Sequence, residues 1–130
     1  MKTILVLEDE PDFQKLLRII LEDAGYKVII SASAGEGWEL LTRERPDMLL
    51  LDLNLADGNS LPLCRKIRGE QLLKYLPIII LTVCSRPDDI VLGLQSGADD
   101  YMVKPCDPEE TVTRIETLFR RMESAPEAEG

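Results

Sequence analysis

Three carboxylate positions, one hydroxyl and one amine stand at the ends of apolar runs. Glu8 and Asp9 follow Thr3 to Leu7, Asp52 ends Met48 to Leu51, Thr82 ends Pro77 to Ile80-Leu81, and Lys104 ends Asp100 to Val103. If those runs finish on one rim, Glu8, Asp9 and Asp52 converge, repel one another and raise at least one pKa. A hard divalent cation relieves that repulsion, and magnesium, with oxygen ligands and several retained waters, suits such a site. A lysine and a hydroxyl beside the cation neutralise the charge of a phosphoryl group. Asp52 is then a nucleophile toward phosphorus, since carboxylates form aspartyl phosphates. Taken singly, each residue has a plainer reading. Asp52 is equally a turn former, Lys104-Pro105 reads as a turn, and Thr82 is a strand-end hydroxyl. The combination at successive run ends carries the chemical reading.

Composition removes several alternatives. The 130 residues contain no histidine. That excludes Ser-His and Cys-His triads, histidine bases and histidine-ligated zinc. Cys64, Cys84 and Cys106 are odd in number and lack C-x-x-C spacing, so they read as reduced thiols. The net charge of −9 argues against this domain gripping nucleic acid. No apolar run approaches the ~20 residues of a membrane span. Met1-Lys2 leads straight into a strand-like run, not a signal peptide, so a cytoplasmic location is expected.

The elements that must position these residues alternate. Thr3 to Leu7 reads as a buried parallel strand, and Pro11 opens a helix closed by Gly25, with Phe13, Leu16, Leu17, Ile20 and Leu21 on its inner face. Lys27 to Ser31 is a second strand, followed by a helix from about Gly35 to Arg43 with Trp38 and Leu41 inward. The unbroken run into Asp52 is a third strand, buried on both faces. A short helix from Leu61 to Arg68 follows. Pro77 to Thr82 is the fourth strand and Pro87 to Ser96 the fourth helix. Gly93 inside that helix either loosens it or permits close packing. Strand five is Asp100 to Lys104, and the last helix turns Val112, Ile115, Phe119 and Met122 inward. Five βα units in strict alternation predict an α/β fold: a doubly wound, five-stranded parallel sheet of order 2-1-3-4-5 with five helices, flavodoxin-like. In such sheets ligands bind at the carboxyl ends of the strands.

The motifs LEDEP, LLLDLNL, IIILT and GADDYMVKP, in this order and spacing, closely resemble the receiver domain of two-component response regulators. The resemblance covers residues 2 to about 122, giving a domain at 1–123 and a flexible tail or start of a linker at 124–130. It implies that Asp52 accepts a phosphoryl group from the phosphohistidine of a sensor histidine kinase, making the chain a signalling switch and not an enzyme acting on a metabolite. It implies that Asp9 ligates Mg2+ directly, that Glu8 acts through water, and that Asp52 and the main-chain carbonyl of Asn54 complete the ligands, with Mn2+ or Ca2+ able to substitute. Thr82 and Lys104 would hold phosphoryl oxygens, and Tyr101 matches the switch aromatic that turns inward as Thr82 moves. The output would be an effector domain beyond the C-terminus or a separate protein.

Several positions depart from the family pattern. Ala56 stands for a usual proline, Ser60 for a usual glycine, Cys106 for a frequent aromatic, and Val83 for a small residue after Thr82. The two methyls of Val83 are expected to crowd the path to phosphorus. Receivers joined to winged-helix DNA-binding domains commonly pair through helix four, strand five and helix five. Asp99, Asp100, Arg114 and Arg121 match the charged positions of that face, and Val91 and Leu94 its apolar centre, while Ile90 replaces a usual basic residue. Other classes fit less well. An aspartyl-phosphate phosphatase needs a second acid where Asn54 stands. A flavodoxin needs a Ser/Thr/Gly-rich first loop where Glu8-Asp9-Glu10 stands. A receiver that is never phosphorylated is favoured by Val83 alone.

Overall fold

In the computed structural model, which describes residues 1–83 and 86–124, the apolar runs form the middle layer. β1 (Thr3–Leu7), β2 (Lys27–Ser31), β3 (Met48–Asp52), β4 (Ile78–Thr82) and β5 (Asp100–Val103) alternate with α1 (Pro11–Asp23), α2 (Ala34–Glu44), α3 (Leu61–Gly69), α4 (Pro87–Gln95) and α5 (Pro108–Ser124). β3 and β4 are buried at every position, because helices cover both faces of a parallel sheet. The five-stranded sheet has the order β2-β1-β3-β4-β5, and each of its pairings is parallel. The expected flavodoxin-like architecture is therefore present. One element was not anticipated: a small antiparallel ladder of Asn54–Leu55 with Gly58–Asn59, directly after Asp52.

The pleat divides the core. Leu5, Leu7, Leu49, Leu51, Ile78 and Ile80 pack with Leu40 and Leu41 of α2 and with Leu63, Cys64 and Ile67 of α3. Ile4, Val6, Met48, Leu50, Ile79 and Leu81 pack with Leu17, Ile20 and Leu21 of α1 and with Ile115, Leu118 and Phe119 of α5. Successive side chains of a strand point to opposite faces, so two complete cores share one sheet.

Some helix-face expectations need correction. Leu16 and Met122 are each 37% exposed. The buried stripe of α1 is Leu17, Ile20 and Leu21, and Leu16 lies on its flank. Met122 sits in the last turn of α5, beside the exposed chain end that Lys2 and Glu123 bridge at 3.5 Å. α5 includes Ser124, the first residue of the expected tail. Cys84 and residues 125–130 lie outside the described residues. Cys64 and Cys106 are free and buried. Gly93 resolves toward close packing, since a Cβ there would meet Ile80 Cδ1 at 2.6 Å.

The ladder after β3 is anchored to α2. Ser33 caps that helix through its hydroxyl, which accepts the N–H of Glu36 at 3.2 Å. Asp57 reaches across to accept the N–H groups of Ala34 at 3.0 Å and Gly35 at 3.1 Å. These are orphan donors of a helix N-terminus, where a negative charge is favoured. The two backbone N–H bonds hold the Asp57 carboxyl below its ordinary range. A carboxylate with a depressed folded pKa adds stability above its unfolded pKa and loses it as pH falls through the folded value. Asp57→Ala is therefore expected to melt below the wild type at pH 7, with the difference shrinking as pH falls below about 4. Thermal melts across that range check this; a pH-independent difference would remove the carboxylate charge from the explanation.

Candidate functional site

Register builds the site. Leu7 lies level with Leu51 in the β1–β3 pairing, and Asp52 with Leu81 in the β3–β4 pairing. Glu8, one residue past Leu7, thus stands beside Asp52. Thr82 pairs with Val103, so Lys104 follows at the next step. Hydrogen bonds carry the ladder past the strand ends: Glu8 N–H to Ser31 O at 2.9 Å, Leu53 N–H to Leu81 O at 3.2 Å and Lys104 N–H to Thr82 O at 2.7 Å. Alternation then sorts the side chains. Glu8, Asp52 and Lys104 continue the rows of Val6, Leu50 and Met102, on the α1/α5 side. Thr82 continues the row of Ile80, on the opposite side, where Tyr101 also packs.

Lys104 is the centre of the charged group. Its ammonium lies 2.5 Å from Glu8 Oε1 and 2.8 Å from Asp52 Oδ2. It also lies 4.6 Å from the centroid of the Phe13 ring. Glu8 Oε2 accepts the N–H of Glu10 at 3.0 Å, and Asp52 Oδ1 accepts the N–H of Asn54 at 3.1 Å. Glu8 is fully buried and Asp52 is 6% exposed. Burial pushes the Glu8 carboxyl up, against the pull of the Lys104 ammonium, and nearby Asp52 adds to the rise. Burial alone would lower Lys104, but Asp52 and Glu8 outweigh it and hold the ammonium above its usual range. The lysine is therefore a fixed positive charge at neutral pH. The Lys104–Pro105 peptide bond is cis.

Asp9 is exposed, and Glu8, Asp9 and Asp52 each offer one carboxylate oxygen, all within 4.8 Å of one another. An all-oxygen, carboxylate-rich donor set suits a hard cation and not a soft one. Thr82 and Tyr101 instead line a gap beneath α4 together with Ile80, Gly93 and Leu94. The structure thus joins Glu8, Asp9, Asp52 and Lys104 in one group and sets Thr82 and Tyr101 along one gap on the other side of the rim. Val83, expected to crowd the path to phosphorus, follows Thr82 at the rim and is 75% exposed.

Three supporting residues escaped the sequence reading of the site. Phe13 read only as a core residue. The Gln14 side chain donates to the Glu8 carbonyl, a contact with no sequence signal beyond its place one turn into α1. Ser60 was noted only as a departure from glycine. It is fully buried. Its hydroxyl donates to the Asp52 carbonyl at 2.5 Å and its N–H to the Leu53 carbonyl at 2.9 Å. Its φ of −95° needs no glycine. The loop therefore closes on the backbone of Asp52 itself.

The family model for the response regulator receiver domain matches residues 4–116. The chain belongs to the response regulator receiver family. It is 37% identical over 123 residues to the DNA-binding response regulator MtrA of Mycolicibacterium smegmatis, covering 95% of this chain and 53% of that protein. It is 39% identical over 129 residues to the alkaline phosphatase synthesis transcriptional regulatory protein PhoP of Bacillus subtilis, covering 98% and 53%. The chain spans about half the length of the curated relatives it matches. Among solved structures, it resembles the receiver domain of the sensor histidine kinase PA1611 from Pseudomonas aeruginosa, described with a magnesium ion coordinated in the active-site cleft. That match has a TM-score of 0.83 at 32% identity and covers 95% of this chain and 98% of that one. This receiver is thus a domain of two-component signal transduction. Among the described residues no helix is long and apolar enough to cross a membrane.

The bond from Ser60 to Asp52 gives a measurable expectation. Ser60→Ala leaves a buried carbonyl short of its donor, a loss of about 1–3 kcal/mol. Urea denaturation should show a lower midpoint with an unchanged slope. An unchanged midpoint would mean that the carbonyl is satisfied without the hydroxyl.

Proposed function

We propose that Asp52 is the phosphoacceptor of this receiver and that Glu8, Asp9, Asp52 and the Asn54 main-chain carbonyl serve a magnesium ion. The observation that carries this reading is the Lys104 ammonium held between Glu8 and Asp52, with Asp9 in the same cluster of carboxylate oxygens. Asp52 attacks the phosphorus of a kinase phosphohistidine. The new O–P bond forms as the P–N bond breaks, and the imidazole nitrogen leaves and takes up a proton. Bound magnesium supplies charge neutralisation for the carboxylates and the incoming phosphoryl oxygens. Asp9 and Asp52 would hold it directly and Glu8 through water. Lys104 holds phosphoryl oxygens, and Thr82 would turn toward them from the other side of the rim, with Tyr101, which lines the same gap beneath α4, reporting the change. The domain catalyses its own phosphorylation and dephosphorylation, works in the cytoplasm, and controls an effector module outside residues 1–130 or a separate output protein.

With a small phosphodonor and magnesium, mass spectrometry should find one added phosphoryl group, on Asp52. Asp52→Asn and chelation of the metal should each abolish the labelling. An Asp52→Asn variant labelled on another aspartate to the wild-type extent would refute the assignment.

The activated domain is further proposed to pair with a second copy through α4, β5 and α5. Val91 and Leu94 are 50% and 41% exposed, which supports an apolar centre. The charges around them are already engaged within the chain. Asp100 holds Arg114 at 3.0 Å, and Arg114 also meets Glu110 at 3.0 Å. Asp99 accepts from Arg68 at 3.0 Å and from the Ile78 N–H at 2.8 Å. Pairing would therefore exchange internal ion pairs for external ones, and exposed pairs contribute only about 0–1 kcal/mol each. Dimers are thus expected with the beryllofluoride mimic and not without it, and Arg114→Ala and Arg121→Ala should weaken them. Sedimentation decides: a monomer at high concentration in both states excludes the dimer, and a dimer indifferent to both substitutions lies on another face.

A further inference from the structure

We propose that Phe13 is a positioning residue for Lys104, holding the ammonium beside Asp52 with the face of its ring; the consequence for phosphoryl transfer rests on the function proposed for Asp52. The ammonium lies 4.6 Å from the ring centroid, well inside the range in which an aromatic face attracts a cation. The Lys104 side chain is 11% exposed, so water screens this attraction little. Two of its three N–H donors are directed at Glu8 and Asp52. The ring attracts the charge without occupying a donor, leaving the donors for oxygens.

The ring is itself well fixed. Glu10 caps α1 by accepting the N–H groups of Asp12 at 3.2 Å and Phe13 at 2.8 Å. The next residue, Gln14, donates its backbone N–H to the Glu10 carbonyl at 3.0 Å and its side-chain amide to the Glu8 carbonyl. The first turn of α1 is thus pinned to the end of β1, and Phe13 is carried to a set place over the lysine. Phe13 also packs against the α1/α5 core.

Physical competition explains why a ring is useful here. Once Glu8 and Asp52 share their charge with a divalent cation, their hold on the ammonium weakens. The attraction of an uncharged ring is not shared in this way. Phe13 therefore keeps the lysine in place at the stage when its donors must turn to a phosphoryl oxygen. Small misplacements of a group in a transfer reaction are costly.

The test uses the whole chain and compares Phe13→Leu, Phe13→Met and Phe13→Tyr with wild type. Phosphorylation of Asp52 by phosphoramidate is followed at saturating magnesium, and urea midpoints show that each variant is folded. Leu and Met keep an apolar side chain but lack the ring face, and either suffices if the other fails to fold. Both are expected to slow labelling by roughly two- to thirty-fold, with the apparent magnesium affinity changed less than about twofold. Tyr, which keeps the face, should restore the rate. Proton NMR gives an independent signature: the ε-methylene protons of Lys104 should be shifted upfield by the ring in wild type and Phe13→Tyr, and not in Phe13→Leu. Wild-type rates in Leu and Met with an unmoved Lys104 signal would overturn the proposal, as would equal slowing in all three variants. If the wild type takes up no phosphate, the phosphoacceptor reading fails by itself, and the Lys104 signal alone decides the placement of Phe13.

Discussion

The structure depends on one buried contact: an ammonium held between two carboxylates at the end of a parallel sheet. Removing charges from water is expensive, and their attraction repays the cost only when the geometry is good and the remaining polar atoms are bonded. Here both conditions are met. Lys104 spans Glu8 and Asp52, while the outer oxygens of those carboxylates accept backbone N–H groups of Glu10 and Asn54. Among the described residues, no buried side-chain nitrogen or oxygen lacks a hydrogen-bond partner. The three charges belong to the residue after β1, to β3 and to the residue after β5, and these strands are not all adjacent in the sheet. The contact therefore constrains the relative heights of strands separated by β4.

That constraint explains how the surrounding loops are built. Each is closed by bonds to backbone rather than by bulk. Ser60 ties the end of the ladder to the Asp52 carbonyl. Asp57 ties its tip to α2, and Glu10 and Gln14 tie α1 to the end of β1. Fixed donors and charges around a reacting group lower the cost of reorganisation during the reaction.

The opposite side of the rim is built differently. Only Gly93 of α4 is buried, and Val91, Leu92 and Leu94 are exposed. A helix held by so little apolar contact belongs to the low-stability end of a structure, from which moving elements are drawn. Thr82 and Tyr101 face the gap under this helix. The pleat thus gives charge chemistry to the firmly packed face and the candidate switch pair to the loosely packed one. Arg68 limits how far that looseness spreads, since it binds the carbonyls of Gly97, Lys74 and Leu76 as well as Asp99.

Much of this was legible in the residues alone. Strict alternation of apolar runs with helical periodicity determines a doubly wound parallel sheet, because buried strands and amphipathic helices have few other ways to cover each other. The placement of Glu8, Asp9, Asp52, Thr82 and Lys104 at run ends is likewise a property of the sequence, since strand carboxyl ends share one rim in that fold. Only the tertiary structure decided which of these residues touch. Register sets Glu8 level with Asp52, and side-chain alternation separates Thr82 from that group, neither of which follows from run boundaries known to within a residue or two. It also decided that Asp99 and Asp100 are engaged inside the chain, that Val83 is exposed, that the Phe13 ring lies over the Lys104 ammonium and that Ser60 bonds the Asp52 carbonyl. Those outcomes depend on long-range approach between elements far apart along the chain, and local patterns of polarity carry no information about it.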